Sequence, residues 1–169
     1  LLNYPRPVDT DADALHLLPR NDPTAIPAPP GERLLTPHPG EMQRRNPLGE
    51  ESRRARAEAF AARTKATVLL KGARTVIAQP GISSPTAFNP TGNPGMATGG
   101  VGDTLSGLCA ALAATGVSLY HAACAGSWIN GRAAEIAVFN AGGSPQSLIA
   151  SDLPAHYGVA FTDLATGSF

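Results

Sequence analysis

One stretch constrains this chain more than any other: a glycine-rich loop that runs straight into an apolar-faced helix. Between Asn89 and Gly102 stand five glycines and two prolines, with little that can be buried. From Val101 the pattern changes, and Val101, Leu105, Leu108, Cys109 and Leu112 recur at helical spacing. Asp103 sits at the join. Glycines let backbone N–H groups turn toward a ligand, and the first turn of a helix leaves such groups unpaired and partly positive. That combination is an anion site, most often for phosphate. A carboxylate placed there can cap the helix, or it can take a proton from a hydroxyl that the phosphate is to meet. A plainer reading of these residues makes the glycines turn formers and Asp103 an ordinary N-cap, and short motifs alone do not choose between them. Two other glycine motifs are excluded. Gly102 is followed by Asp103 and Thr104 instead of the Lys-Ser/Thr of a P-loop, and Leu105 stands where a dinucleotide fingerprint needs its third glycine.

The chain upstream supplies the partners of such a loop. Residues 1–8 read as an extended lead-in, and Asp9 to Leu18 as a strand end followed by a short helix, with Asp11 and Asp13 read as helix caps in preference to contacts of a magnesium–phosphate group. Five prolines between Pro19 and Gly31 make a stiff connector. Leu34-Leu35 is a short buried strand ending in Thr36-Pro37-His38-Pro39-Gly40-Glu41, whose prolines bracket His38. Glu50 to Lys65 is a helix by propensity, with Arg53, Arg54, Arg56 and Arg63 as its solvated face. Ala66–Leu70 and Thr75–Ala78 read as strands joined by a tight turn, where Lys71 and Arg74 can reach an anionic group. Pro80 to Thr91 reads as a loop.

Downstream, Leu119 to Phe139 reads as a second helix with a narrow face of small residues, on which His121 and Trp128 serve packing. Asn140 to Ser147 breaks it, and a last helix starts with Ser151 as N-cap and Pro154 in its first turn. At 169 residues one domain with a proper core is expected. Lys plus Arg and Asp plus Glu number 13 each, so no basic field points to nucleic acid or to an acidic membrane surface. Cys109 and Cys124 read as small core residues. With neither a membrane-length apolar run nor a signal peptide in sight, the expected location is cytoplasmic.

Four ordered stretches carry a family resemblance: Asp11-Ala12-Asp13-Ala14-Leu15, Leu35 to Glu41, Val68 to Thr75, and Asn93-Pro94-Gly95-Met96-Ala97-Thr98-Gly99-Gly100-Val101-Gly102-Asp103. Together they closely resemble the motifs of the ADP- or ATP-dependent NAD(P)H-hydrate dehydratases of the ribokinase-like superfamily. His16 stands where the family pattern has Asn, which weakens a direct role for that position and favours a surface or helix-end histidine. The resemblance implies an α/β, ribokinase-like layered fold, a sheet flanked by helices. The chain starts without Met, and its first motif comes almost at once. The expectation is therefore that residues 1–169 form the C-terminal portion of the domain, lacking its N-terminal strands.

The resemblance also implies an activity, the nucleotide-dependent dehydration of hydrated NADH or NADPH. The hydrate hydroxyl is phosphorylated, and loss of phosphate restores the nicotinamide ring. In that reading Asp103 is the general base and touches the substrate, and His38 contacts the hydrate. Gly100, Val101 and Gly102 offer backbone N–H groups to the transferring phosphoryl. Lys71, Gly72, Ala73, Arg74 and Thr75, with Gly102, hold the adenine nucleotide. ADP or ATP is the co-substrate, and Mg²⁺ bridges its oxygens without a ligand assigned on the protein. Family membership further implies a homo-oligomer, and an N-terminal epimerase domain where the chain is longer. The rival readings are another ribokinase-like small-molecule kinase and a non-catalytic nucleotide-binding remnant, whose pocket lacks a wall because one sheet edge is open.

Overall fold

The computed structural model describes residues 3–17, 29–45, 52–81 and 85–168. Five short strands form one sheet in chain order: β1 (Val8–Thr10), β2 (Arg33–Leu35), β3 (Thr67–Leu70), β4 (Val76–Ala78) and β5 (Ala87–Phe88). The first three run parallel, with Asp9 opposite Leu34 and Leu35 opposite Val68. The last three run antiparallel, with Leu69 opposite Ile77 and Val76 opposite Phe88. Every residue of β3 is buried, as a strand covered on both faces must be.

Side-chain alternation divides the core into two layers. Leu35, Val68, Leu70, Val76 and Ala78 face one way, onto Met42 of α1 (Pro39–Arg45) and Ala57, Phe60 and Ala61 of α2 (Arg53–Thr64). Leu34, Leu69 and Ile77 face the other way, onto Leu105 and Cys109 of α3 (Val101–Ala114) and Leu119 and Ala123 of α4 (Leu119–Glu135). A third cluster, including Ile129, Ala133, Leu153 and Ala160, packs α5 (Leu153–Thr166) on the outside of α4. The result is a helix–sheet–helix sandwich with α5 added, as the α/β reading required. Both cysteines are unpaired, Cys109 buried and Cys124 half-buried.

Several local expectations change in the folded chain. Residues 80–91, read as a loop, contain β5, because pairing with β4 supplies hydrogen bonds that a Pro/Ser-rich run does not advertise. The second long helix stays α-helical to Glu135 and then widens into a π-helical turn over Ile136–Asn140. Ser151 is not the cap of the last helix. A 3₁₀ turn over Ala150–Asp152 leads directly into α5, and the Asp152 carboxylate accepts from the Ile149 N–H at 3.0 Å. The Asp11 carboxylate does more than the capping read for it, since it is also engaged by Lys71 and Ser106, 60 and 95 residues away. Of the proline-rich connector, residues 19–28 lie outside the described residues, as do the first two positions of the helix expected from Glu50. That helix begins at Arg53, with the Ser52 hydroxyl accepting from the Ala55 N–H. Among the described residues no helix is long and apolar enough to cross a membrane.

Candidate active site

Parallel strands deliver their carboxyl ends to one edge of the sheet, where open α/β sheets bind ligands. At that edge the chain links the three strand ends in series. The Thr36 N–H donates to the Thr10 carbonyl at 3.2 Å, and the Lys71 N–H donates to the Pro37 carbonyl at 2.9 Å. Asp11, His38 and Lys71 thus follow three neighbouring strands.

The glycine-rich loop brings the start of α3 to the same edge. Gly100 is the N-cap residue, with a left-handed φ of 87° that a side chain rarely tolerates. It has no side chain with which to cap. Asp103 therefore occupies the third helical position and stands exposed. The N–H groups of Val101, Gly102 and Asp103 belong to the first turn, where no preceding carbonyl can serve them. The first intrahelical bond runs from the Thr104 N–H to the Gly100 carbonyl at 3.1 Å. Gly102 is also a point of close approach. A Cβ placed there would lie 3.3 Å from Lys71 Nζ and 3.8 Å from Asp11 Oδ2.

Lys71 and Asp11 form a partly buried ion pair at 2.7 Å, and the Ser106 hydroxyl donates to the second Asp11 oxygen at 3.0 Å. Burial alone would raise the Asp11 carboxyl, but the Lys71 bond and charge, with the Ala12 backbone and the Thr36 hydroxyl, outweigh it and hold it below its ordinary range. Asp9, one pleat earlier on β1, is the opposite case. Burial pushes its carboxyl up to about 7, with the Asp11 charge adding to the rise, against weaker help from the Thr10 backbone and Lys71. Both Asp9 oxygens are buried without a hydrogen-bond partner among the described residues.

His38 has a structural duty as well. Its Nδ1 accepts from the Gly40 and Glu41 N–H groups at 3.0 and 3.3 Å, while the Glu41 carboxylate accepts from the His38 N–H at 2.8 Å. This reciprocal arrangement caps α1. An Nδ1 that accepts two bonds carries no proton, so the neutral ring holds its proton on Nε2. Nε2 lies 3.6 Å from Glu41 Oε1 on a half-exposed side chain and is the atom left to donate to a ligand.

The Lys71–Thr75 turn is held from beneath by Arg53. Its guanidinium donates to the carbonyls of Leu70 and Lys71 at 3.2 and 2.9 Å, and also to that of Ala73. The expectation of a wholly solvated arginine face is corrected here, since Arg53 is half-buried beneath the turn. Within the turn the Thr75 hydroxyl donates to the Gly72 carbonyl at 3.1 Å, and Arg74 stays exposed with a left-handed φ of 54°. The structure thus brings Lys71, Gly102 and Asp11 together at the start of α3, and leaves Gly72, Ala73 and Arg74 at the rim.

The segment ahead of the glycines rides on α4. The Asn89 amide donates to the Ser127 carbonyl at 3.0 Å, the Thr91 hydroxyl to that of Trp128 at 2.9 Å, and the Asn93 amide to that of Ala134 at 2.9 Å. The Gly92 N–H donates to Glu135 Oε1 at 2.8 Å. Arg132 joins the other Glu135 oxygen to Asp163 on α5. Gly131 permits this seat, because a Cβ there would meet the Thr91 hydroxyl at 2.3 Å and its backbone at 2.8 Å.

The sheet with its helix layers and loop-to-helix anion site is the ribokinase-like α/β fold. It matches a ribokinase-like superfamily protein from Enterococcus faecalis with a TM-score of 0.65 and 29% identity, covering 90% of this chain and 52% of that one. A family model described as NAD(P)H-hydrate dehydratase matches residues 1–154, and the chain belongs to that family. Among relatives, the bifunctional NAD(P)H-hydrate repair enzyme Nnr of Moorella thermoacetica is 42% identical over 153 residues, which is 87% of this chain and 28% of that protein. A crystal structure of the ADP/ATP-dependent NAD(P)H-hydrate dehydratase of Bacillus subtilis, co-crystallised with ATP/Mg²⁺ and soaked with CoA, superposes with a TM-score of 0.82 at 31% identity. The match covers 96% of this chain and 58% of that one. The chain therefore spans about a quarter to somewhat over half the length of these relatives.

Proposed function

We propose that this chain carries the phosphoryl-transfer half of an ADP- or ATP-dependent dehydration of hydrated NADH or NADPH, a repair of damaged cofactor in the cytoplasm. The observation that carries this reading is the meeting of Lys71, Gly102 and the open first turn of α3 at the carboxyl end of the parallel strands. A terminal phosphoryl group placed there meets backbone N–H groups of the Gly100–Asp103 turn and the Lys71 ammonium, where its charge builds in the transition state. Lys71 to Thr75, with Gly102, would hold the rest of the nucleotide.

Asp103, exposed beside those N–H groups, would take the proton from the hydrate hydroxyl as its oxygen bonds to phosphorus. His38 Nε2–H would donate to the hydrate. Hydroxide is a poor leaving group and phosphate a good one, so departure of phosphate with a ring proton completes the net loss of water. Mg²⁺ would neutralise charge on the phosphate oxygens. The donor set fits a metal held chiefly through the nucleotide, because Asp11 is already engaged by Lys71 and Ser106 and, among the described residues, Asp103 alone offers an exposed carboxylate at the loop.

The test is absorbance in the reduced-nicotinamide band, with this polypeptide, hydrated NADH, Mg²⁺ and ADP or ATP. Recovery that needs nucleotide is the expected result. Nucleotide binding without recovery would overturn the dehydratase reading for this chain and leave a nucleotide-binding module.

A further inference from the structure

The helices α3, α4 and α5, which share an apolar cluster including Val101, Ile129, Ala133 and Leu153, also enclose a buried polar side chain. It is Asn130 on α4, 1% exposed. Its side-chain oxygen accepts from the Tyr157 hydroxyl of α5 at 2.7 Å and from the Thr104 hydroxyl of α3 at 3.3 Å. The Thr104 hydroxyl has one proton to share, and the Val101 carbonyl, 2.8 Å away, is its nearer acceptor. Thr104 follows Asp103 directly, and Val101 is the first helical residue of the anion loop. One amide oxygen thus connects three helices, and its α3 end is the turn that presents both the N–H groups and the carboxylate.

A buried amide is costly unless bonded, and an apolar residue would pack this position with less penalty. A buried oxygen held by hydroxyls from two other helices instead favours a single arrangement. We propose that Asn130 is a positioning residue for the phosphoryl-transfer site, setting the first turn of α3, and with it Asp103, against α4 and α5. The inference rests on the function proposed above for what it predicts of turnover. Its mechanical content, that Asn130 fixes this turn, is separate. Misplacing a reacting group by about 1 Å costs on the order of a hundredfold in rate.

Two measurements on the 169-residue chain decide it. In Asn130→Leu, turnover of the hydrate is expected to fall about 10- to 100-fold while KM for ADP changes less than about threefold. Asn130→Asp, which keeps an acceptor for both hydroxyls, is expected to restore most of the rate. In native-state hydrogen exchange the Thr104 and Leu105 amides of Asn130→Leu should exchange at least about tenfold faster, with those of Ala111 to Ala114 unchanged. The pair Thr104→Val and Tyr157→Phe gives the same readings should Asn130→Leu fail to fold. Wild-type turnover in these variants, no rescue by Asn130→Asp, or loosening spread evenly along α3 would overturn the proposal. A wild-type chain inactive on the hydrate would sink the functional reading alone, and the exchange data would still decide whether Asn130 fixes the turn.

Discussion

Asp103 and Asp9 lie on adjacent elements and are expected to respond oppositely to loss of their charge. Asp103 is exposed and holds no bond that caps its helix. Asp103→Asn should lower turnover by about a hundred- to ten-thousandfold, as loss of a general base does, with ADP affinity changed less than about threefold by calorimetry. Near-normal turnover would remove the base role. The Asp9 carboxylate oxygens are buried, and burial with the Asp11 charge outweighs the help of the Thr10 backbone and Lys71 and holds the carboxyl near 7. A folded-state pKa above the unfolded one gives stability that is complete below about pH 4 and lost as pH rises through 7. Asp9→Asn should therefore stabilise the chain by roughly 2–4 kcal/mol at pH 8 and by much less at pH 5. Urea melts at the two pH values read this directly, and an equal effect at both would refute it. Asp11, held low, works in the other direction, and its contribution disappears only in acid. The three aspartates stand in plain view in the sequence, but their separate fates do not: burial in the fold sets Asp9, and the groups that hold Asp11 arrive from 60 and 95 residues away.

At the level of elements, the loop-to-helix transition at Val101, the β3–β4 hairpin and the short buried strand at Leu34-Leu35 were legible, since each is written in local composition, periodicity or turn chemistry. What escaped were features that only pairing or packing creates. The strand β5 exists through β4, and Arg53 acts on a turn 17 to 20 residues downstream. His38 doubles as a cap because Glu41 sits three positions on, a reciprocal pattern present in the sequence but masked by the bracketing prolines. The seat of residues 89–93 on α4 is likewise a tertiary fact, and it makes Gly131 a test of the whole arrangement. Gly131→Ala gains about 1 kcal/mol of helix propensity, yet its methyl must displace Thr91 backbone. The expected net outcome is a loss of about 1–3 kcal/mol in chemical denaturation, with a fall in turnover beyond that explained by the unfolded fraction. Unchanged stability would show that the loop yields freely.

For the molecule as a whole, a ligand that bridges Lys71 and the start of α3 ties the sheet to the helix layer on one side of it. ADP·Mg²⁺ at about a hundred times its Kd should add roughly 2.7 kcal/mol, or about 5–10 °C in Tm for a chain of this size. A thermal-shift series checks this, and no shift at millimolar nucleotide would contradict the nucleotide site. The ion pair at the strand ends has a consequence in time as well as in space. The hairpin β3–β4 closes over a few residues, whereas Asp11 meets Lys71 and Ser106 only across loops of 60 and 95 residues. Contacts of that range close late, because loop-closure entropy must be met before they form. In stopped-flow refolding, helical circular dichroism should return first and nucleotide-binding competence last. The carboxylate just past β1 therefore stays without its partners until the segments carrying Lys71 and Ser106 have folded onto the sheet.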